Sequence, residues 1–363
     1  MQKKYNQVAP LITSTDIENV KNYLSSGGWV TEHEVTKLFE NDIKKYVKRQ
    51  YAVAVPNGTI AIYLALLSAG ISKGDKVAVP NLTMIATINA IMWTGATPEI
   101  IDVDEDLCMS FKQLSKINSL SAVIFVPLNG RTGQGKEIEQ WCREKEIILI
   151  EDSAHALGSS YSNSLCGSLG DLSIFSFTPH KIITTGQGGM VLTDNEKFYN
   201  LLIDLKTFNR EKDKSDWHKG FGLNFKFTDL QAALGRSQFL NLEKNIKNKI
   251  KNYHYFQENI TDRLLKSIPF KKSETPWFNE LVLPDKKTKN KLKDFLKING
   301  IETRDFYPPI SQQKYLKRYV KRSLHYSENI SSGIIWLPSS NDLRKKDIVY
   351  ISSKINDFIK SSK

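Results

Sequence analysis

The chain has 363 residues, 40% of them hydrophobic and 25% charged, ordinary globular usage that argues against a disordered, fibrous or membrane protein. That length exceeds what one hydrophobic core normally serves, so a large domain with a smaller companion is expected. Lys and Arg outnumber Asp and Glu by 51 to 39, a formal net charge of +12, which favours polyanionic partners, whether nucleic acid or nucleotides.

The opening residues, MQKKYNQVAPLITSTDIENV, lack the apolar run and small-residue cleavage site of a secretory signal, so a cytoplasmic protein is expected. From about 50 to 200, short β-rich runs alternate with helical stretches: YAVAV, TIAIYLALLSAG, KVAVP, TINAIMWTG, TPEIIDV, SAVIFVP, KEIEQWCREK and IILIED. Such alternation predicts α/β units around a mostly parallel sheet, with ligand chemistry at the carboxyl ends of its strands. Residues 77 to 98 are poor in charge, but Pro80, Asn81, Asn89 and Pro98 interrupt them, so strand, loop and helix are expected and not a membrane span. DLSIFSF and GGMVLTD read as two further strands. Cys108, Cys142 and Cys166 are odd in number and form no C-x-x-C pair, so neither a disulfide framework nor a zinc site is expected. Beyond 240 come a basic helix (NLEKNIKNKIKN), WFNELVLP, KLKDFLKINGIETRDFYPP and a last helix near KKDIVYISSKINDFIK. The chain therefore divides into a large α/β domain, 1–240, whose first residues pack with the second unit, and a smaller α+β domain, 241–363.

Four features of the large domain bear on chemistry. The first, Asn57-Gly58-Thr59, opens a helix directly after a strand, and amides at a helix start favour a phosphate; N-G is equally an ordinary turn. In IILIEDSAHALGSSY an apolar strand ends at Asp152, where a buried carboxylate needs a cationic partner to stay charged; a pyridinium nitrogen suits it, as would a helix cap. His155 follows three residues on, as a ligand contact or a structural imidazole. In SIFSFTPHKIITTGQGGMVLTD, Lys181 follows a strand and precedes a Gly-rich turn, where a lysine can be lowered in pKa and made nucleophilic toward an aldehyde. Finally, FGLNFKFTDLQAALGRSQ carries Asn224 and Lys226 within reach of a phosphate, or forms a strand edge with Thr228 or Asp229 as helix cap.

Taken together, NGT, EDSAHALGSSY, SFTPHKIITTGQGGMVLTD and GLNFKFTDLQAA resemble the sugar aminotransferases of the DegT/DnrJ/EryC1/StrS family, almost from end to end. The resemblance implies an aspartate-aminotransferase-like fold of type I, with a mostly parallel seven-stranded sheet in the large domain. It also implies pyridoxal 5'-phosphate as cofactor, a homodimer with active sites at the interface, a nucleotide-linked keto sugar as acceptor and glutamate as amino donor. By the same resemblance Lys181 holds the cofactor as a Schiff base and Asp152 pairs with its pyridine nitrogen. Gly58, Thr59 and Ser176 match phosphate contacts, with Lys226 matching a position that reaches the phosphate from the neighbouring subunit, and His155 falls near the ring hydroxyl. Met84 lies where an aromatic residue usually stacks on the ring. Thr83, Trp29, Arg304 and Tyr307 match positions on the substrate side, and no metal is implied.

Gln187 replaces the customary Glu of the T-G-E-G-G turn, Pro127 and Asn129 replace the His and Tyr of V-H-L-Y-G, and Pro308 stands where His is frequent. TTGQGGM, GLNFKFTDLQ and GIETRDFYPPI lean toward members acting on GDP-4-keto-6-deoxymannose. A UDP- or TDP-linked sugar or a cyclitol is the alternative acceptor. A dehydratase, which carries His in place of the lysine, is disfavoured because the S-F-x-x-x-K spacing from Ser176 lands on Lys181 and not on His180. A nucleic-acid-binding module would need a clustered basic patch with interleaved aromatics, which the dispersed lysines do not form.

Overall fold

A computed structural model describes residues 4–214, 216–261 and 267–362. Two amphipathic helices, α1 (Ser14–Ser25) and α2 (Glu34–Val47), precede the sheet. Its strands are β1 (Tyr51–Val55), β2 (Lys76–Pro80), β3 (Thr97–Ile101), β4 (Ala122–Phe125) and β5 (Ile148–Asp152). After a short hairpin, β6 (Ser160–Tyr161) and β7 (Ser164–Leu165), come β8 (Leu172–Ser176) and β9 (Gly189–Thr193). The large sheet has seven strands in the order β1-β9-β8-β5-β4-β2-β3, and β9 alone runs against its neighbours. Its strands are buried nearly throughout, as parallel strands must be when helices cover both faces. α3 (Gly58–Ser68) follows β1 and α4 (Ile85–Trp93) follows β2, so their N-termini open at the carboxyl edge where β5 and β8 end. Because β9 runs backwards, its first residue, Gly189, pairs there with both Val55 and Ser176.

The second sheet pairs β10 (Glu280–Val282), β12 (Ile334–Trp336) and β11 (Arg304–Asp305) in that order, all antiparallel. Successive strand residues point to opposite faces: Ile335 joins the small-domain core with Leu292, Leu296, Ile351 and Ile355, while Trp336 joins the large core with Phe278, Phe306 and Tyr307. The helix Leu242–Asn259 spans both units, with Leu242 and Ile246 in a large-domain cluster and Phe256 in the small core. Tyr5 bridges to Ile301 and stacks on Tyr350, and Gln7 donates to the Leu337 carbonyl, so the first described residues lie on the small sheet. A buried ion pair, Arg131 with Glu280, joins the two units. Its guanidinium also donates to the Ile268 carbonyl at 2.7 Å and lies 3.9 Å over the Phe270 ring. Among the described residues no helix is long and apolar enough to cross a membrane.

α1 and α2 fall outside the elements read from the sequence. The N-cap of α2, His33, makes no side-chain cap bond. Asp229 supplies the cap from 196 positions away, accepting the amides of His33, Val35 and Thr36 at 2.8, 3.0 and 2.9 Å. Thr228 caps its own helix, Asp229–Leu240, by accepting the Gln231 amide.

Candidate active site

The two acids that end β5 do different work because adjacent strand residues face opposite sides of the sheet. Glu151 turns to one face and accepts the Tyr161 hydroxyl and the amides of Gly167 and Leu169, fixing the loop before β8. Asp152 turns to the other face, where α4 begins: Thr87 Oγ1 donates to it at 2.9 Å and the Ala154 amide at 3.3 Å. Thr83, in the bend between β2 and α4, lies 3.0 Å from the Thr87 hydroxyl in the first turn of that helix. Burial raises the pKa of Asp152, opposed by Thr87, by the Ala154 amide and by the charge of Lys181.

Lys181 sits in the turn between β8 and β9. The turn is closed by Phe177 N–H to the Gly188 carbonyl at 2.8 Å and Thr185 N–H to the Phe177 carbonyl at 3.0 Å. Carbonyls on either side of the lysine are held from distant segments: Trp277 Nε1 donates to His180 at 2.8 Å, and Asn245 and Asn341 both donate to Ile182 at 3.1 Å. The lysine's backbone is thereby fixed while its amine, 4.3 Å from the centre of the Trp277 ring, has no hydrogen-bond acceptor among the described residues. Burial pushes that amine down to about 7; Asp152 works against the shift and Arg304 adds to it.

His155 is buried and stacks on Trp277, ring centres 3.9 Å apart and planes 11° apart, with Tyr307 on its edge, the hydroxyl 3.3 Å from Nε2. Burial first, then the charges of Lys181 and Arg304, hold its pKa well below the usual value, so the imidazole is neutral. Its Nδ1 is buried without a partner among the described residues. Arg304 is exposed at the start of β11, its guanidinium 5.4 Å over the Trp336 ring, and its charge reaches Lys181, His155, His180 and Tyr307. The structure thus brings Asp152, Lys181, His155, Thr83, Tyr307 and Arg304 to one place.

At the same edge of the sheet, Asn57 caps α3 by accepting the Ile60 amide at 2.9 Å. The amides of Gly58 and Thr59 precede any intrahelical acceptor. A Cβ on Gly58 would come within 3.0 Å of Ser176 Cβ, and one on Gly189 within 2.5 Å of the Asn57 carbonyl. Helix start, Ser176 and β9 are therefore packed as closely as glycine permits. Met84, 44% exposed at the N-cap of α4, accepts the Ala86 amide on sulfur. Asn224, Lys226 and Trp29 are not gathered with this group within one copy: all three are exposed, and the side chains of Asn224 and Lys226 make no hydrogen bond among the described residues. The segment that carries them is nonetheless held on both sides, by Phe225 N–H to the Lys206 carbonyl and Phe227 N–H to the Glu32 carboxylate, both at 3.0 Å. The Trp29 carbonyl accepts the Tyr23 hydroxyl.

These residues fit pyridoxal phosphate. A fixed amine lies within the field of a buried carboxylate, an unpartnered buried imidazole nitrogen stands beside them, and a cradle too tight for a Cβ lies at a helix start. Sequence reading missed Thr87 and Trp277, and named Asn129 only as a departure from V-H-L-Y-G. The spacing of Thr83 and Thr87 was a usable signal for the first; nothing local marks Trp277. Asn129, in left-handed conformation, fixes the backbone after it crosses to the small domain: the Trp277 amide donates to its carbonyl at 3.1 Å and the Phe278 amide to its Oδ1 at 2.7 Å.

Comparison with known proteins places this geometry in context. The family model described as DegT/DnrJ/EryC1/StrS aminotransferase matches residues 10–356. A GDP-perosamine synthase from Escherichia coli O157:H7 is 33% identical over 96% of this chain and 97% of its own. One from Vibrio cholerae is 30% identical over 94% and 96%. Among solved structures, Helicobacter pylori PseC, an aminotransferase involved in the biosynthesis of pseudoaminic acid, superposes with a TM-score of 0.93 at 22% identity, covering 99% of this chain and all of that one. 3-Amino-5-hydroxybenzoic acid synthase superposes at 0.89 and 19% identity, with 99% and 100% covered.

Proposed function

This chain belongs to the DegT/DnrJ/EryC1/StrS aminotransferase family and is a pyridoxal-phosphate-dependent sugar aminotransferase, and from that premise we propose that it moves an amino group from glutamate to GDP-4-keto-6-deoxymannose. The nucleotide and sugar rest on the two relatives named GDP-perosamine synthase, each matched over almost its whole length. The residue assignments rest on one observation: the Lys181 amine, lowered to about 7 by burial and within the field of the buried Asp152 carboxylate, and the neutral His155 ring both lie against the Trp277 ring.

Pyridoxal phosphate, when bound, supplies an electrophilic carbonyl carbon and a cationic ring that accepts the electron pair left by a broken C–H bond. Lys181 Nζ is the attachment point. Once released by the incoming donor, it takes the proton from the donor's Cα and later gives one to the sugar carbon that gains nitrogen. An amine with a pKa near 7 suits both directions of that transfer at neutral pH. Asp152 keeps the ring nitrogen protonated, and Thr87 and Thr83 keep Asp152 ionised and aimed. With Tyr307 donating to Nε2, His155 carries its proton on Nδ1 and offers it to the ring hydroxyl. Amides of Gly58 and Thr59 and the Ser176 hydroxyl hold the phosphate. Asn224 and Lys226, fixed in backbone yet unpartnered in side chain, complete that cradle in a second copy, which makes the protein a homodimer. Met84 covers the ring face, and Thr83, Trp29, Tyr307 and Arg304 border the acceptor.

A dehydratase would place His180 at the reacting centre; instead its side chain is exposed and its carbonyl is tied to Trp277. The deciding experiment adds a panel of nucleotide-linked keto sugars to the protein in its pyridoxamine form and follows return of visible absorbance. GDP-4-keto-6-deoxymannose is expected to restore it fastest. A faster response to a UDP- or TDP-linked sugar overturns the acceptor assignment.

A further inference from the structure

We propose that Trp277 is a positioning residue, a strut that ties the turn carrying Lys181 to the loop after β5, which carries His155 three residues beyond Asp152. The inference rests on Lys181 being the attachment point proposed above.

One side chain makes three contacts to that site. Its Nε1–H donates to the His180 carbonyl at 2.8 Å, its face lies 3.9 Å from the His155 ring at 11°, and the Lys181 amine stands 4.3 Å from its ring centre. A strut must itself be fixed, and Trp277 is held on every side. Its amide donates to the Asn129 carbonyl at 3.1 Å, its carbonyl accepts Lys249 Nζ at 2.9 Å, and Phe278 stacks on it with ring centres 3.8 Å apart. Tryptophan is the one side chain with both a broad aromatic face and a ring N–H donor of that reach. Phenylalanine keeps the face and loses the donor; leucine loses both.

The same ring acts on Lys181 in two opposed ways. Its face attracts an ammonium, and its bulk keeps water away, which disfavours one. Burial of the amine outweighs the nearby Asp152 charge, and its pKa falls to about 7. Trp277, 4.3 Å from the amine, aims it and is part of what buries it. The contact is invisible in a sequence: Trp277 lies 97 positions from His180 and reaches the site from the approach to β10.

The test compares Trp277→Phe and Trp277→Leu with the unaltered protein. In apoprotein, the pH midpoint for arylation of Lys181 by fluorodinitrobenzene is read by peptide mass, and with cofactor restored, kcat and cofactor affinity are measured. Trp277→Leu is expected to raise the midpoint by about one pH unit or more as water reaches the amine. It should also lower kcat by about 10- to 100-fold through misplacement of the base, with cofactor affinity changed by less than about 3-fold. Trp277→Phe is expected to fold with a modest fall in melting temperature from the one lost hydrogen bond, and to lower kcat by about 3- to 10-fold as the turn carrying Lys181 loosens. Should the leucine variant fail to fold, the phenylalanine variant decides: unchanged kcat overturns the proposal. So does a leucine variant that folds and keeps both midpoint and kcat, or one that loses only stability and cofactor affinity. A Lys181→Ala control separates the two readings. A borohydride-sensitive visible band that survives in it refutes the assignment of Lys181, whereas a band lost there, with both tryptophan variants behaving as the unaltered protein, refutes only the strut.

Discussion

Burial pushes two lysines of this chain down to about 7, Lys181 at the carboxyl edge of the large sheet and Lys249 inside the helix Leu242–Asn259. Both border one narrow cavity with His180 and Asn341. Their surroundings nevertheless give them different roles. Lys249 Nζ donates to the carbonyls of Trp277 and Ser339, and desolvation alone accounts for its shift. Among the described residues Lys181 Nζ has no acceptor; it faces an aromatic ring and lies in the field of Asp152. A depressed amine is thus no sufficient mark of a reactive one. Lys249 spends its donors clasping two backbone segments, whereas Lys181 has its backbone clasped by others and its amine left over for chemistry.

The contrast breaks first at Lys181. Lys181→Ala should lose the visible band of the loaded protein and at least about 10³-fold in turnover, measured by spectrum and initial rate with the best acceptor. Asp152→Asn comes next: turnover should fall by about 10²-fold or more while cofactor stays bound, because the ring nitrogen loses the carboxylate that keeps it protonated. In the same variant's apoprotein the Lys181 arylation midpoint should move below that of the unaltered protein, since the removed anion favoured the ammonium. Unchanged turnover would remove Asp152 from its role.

Lys249→Met sharpens the comparison from the other side. It should keep the visible band of the loaded protein, lower turnover by less than about 10-fold through its hold on the Trp277 backbone, and cost about 1–3 kcal/mol in denaturant unfolding, as two buried carbonyls lose their donor. The pH dependence has a definite sign. Lys249 has a folded pKa of about 7 against an ordinary unfolded value of 10.5, so between them the unfolded chain binds more protons and stability rises with pH. The contribution is full above the unfolded value and lost as pH falls through about 7. The stability difference between the unaltered protein and Lys249→Met should therefore grow from pH 7 toward 10; a flat difference would contradict the shift. The smallest effect is expected at Asp229. Removing its carboxylate with Asp229→Ala leaves α2 without its remote cap and should cost about 1–2 kcal/mol, read by thermal unfolding.

Much of this architecture is legible locally. Each strand from β1 to β5, with β8 and β9, is a short apolar run bounded by turn residues, and Gly58, Asp152, Ser176 and Lys181 stand at the ends of those runs, where a parallel sheet exposes ligand chemistry. The family resemblance then supplied the cofactor. Other features had no local signature. Glu151 and Asp152 are both acids at one strand end, and which of them faces α4 depends on where β5 lies in the sheet. Thr228 and Asp229 were equally good caps for the helix they open, yet Asp229 serves α2 instead, almost two hundred residues earlier.

By itself the sequence determined the fold class, the order along the chain of the seven strands of the large sheet, and that Asp152, Ser176 and Lys181 stand at or just past strand ends, because periodicity and turn chemistry act over a few residues. Only the tertiary structure decided which lysine keeps a free amine, which acid faces it, and that Trp277 comes between the Lys181 turn and His155. Those outcomes depend on burial and on hydrogen bonds between segments 28 to 159 positions apart, and such distances leave no pattern in a local stretch of chain.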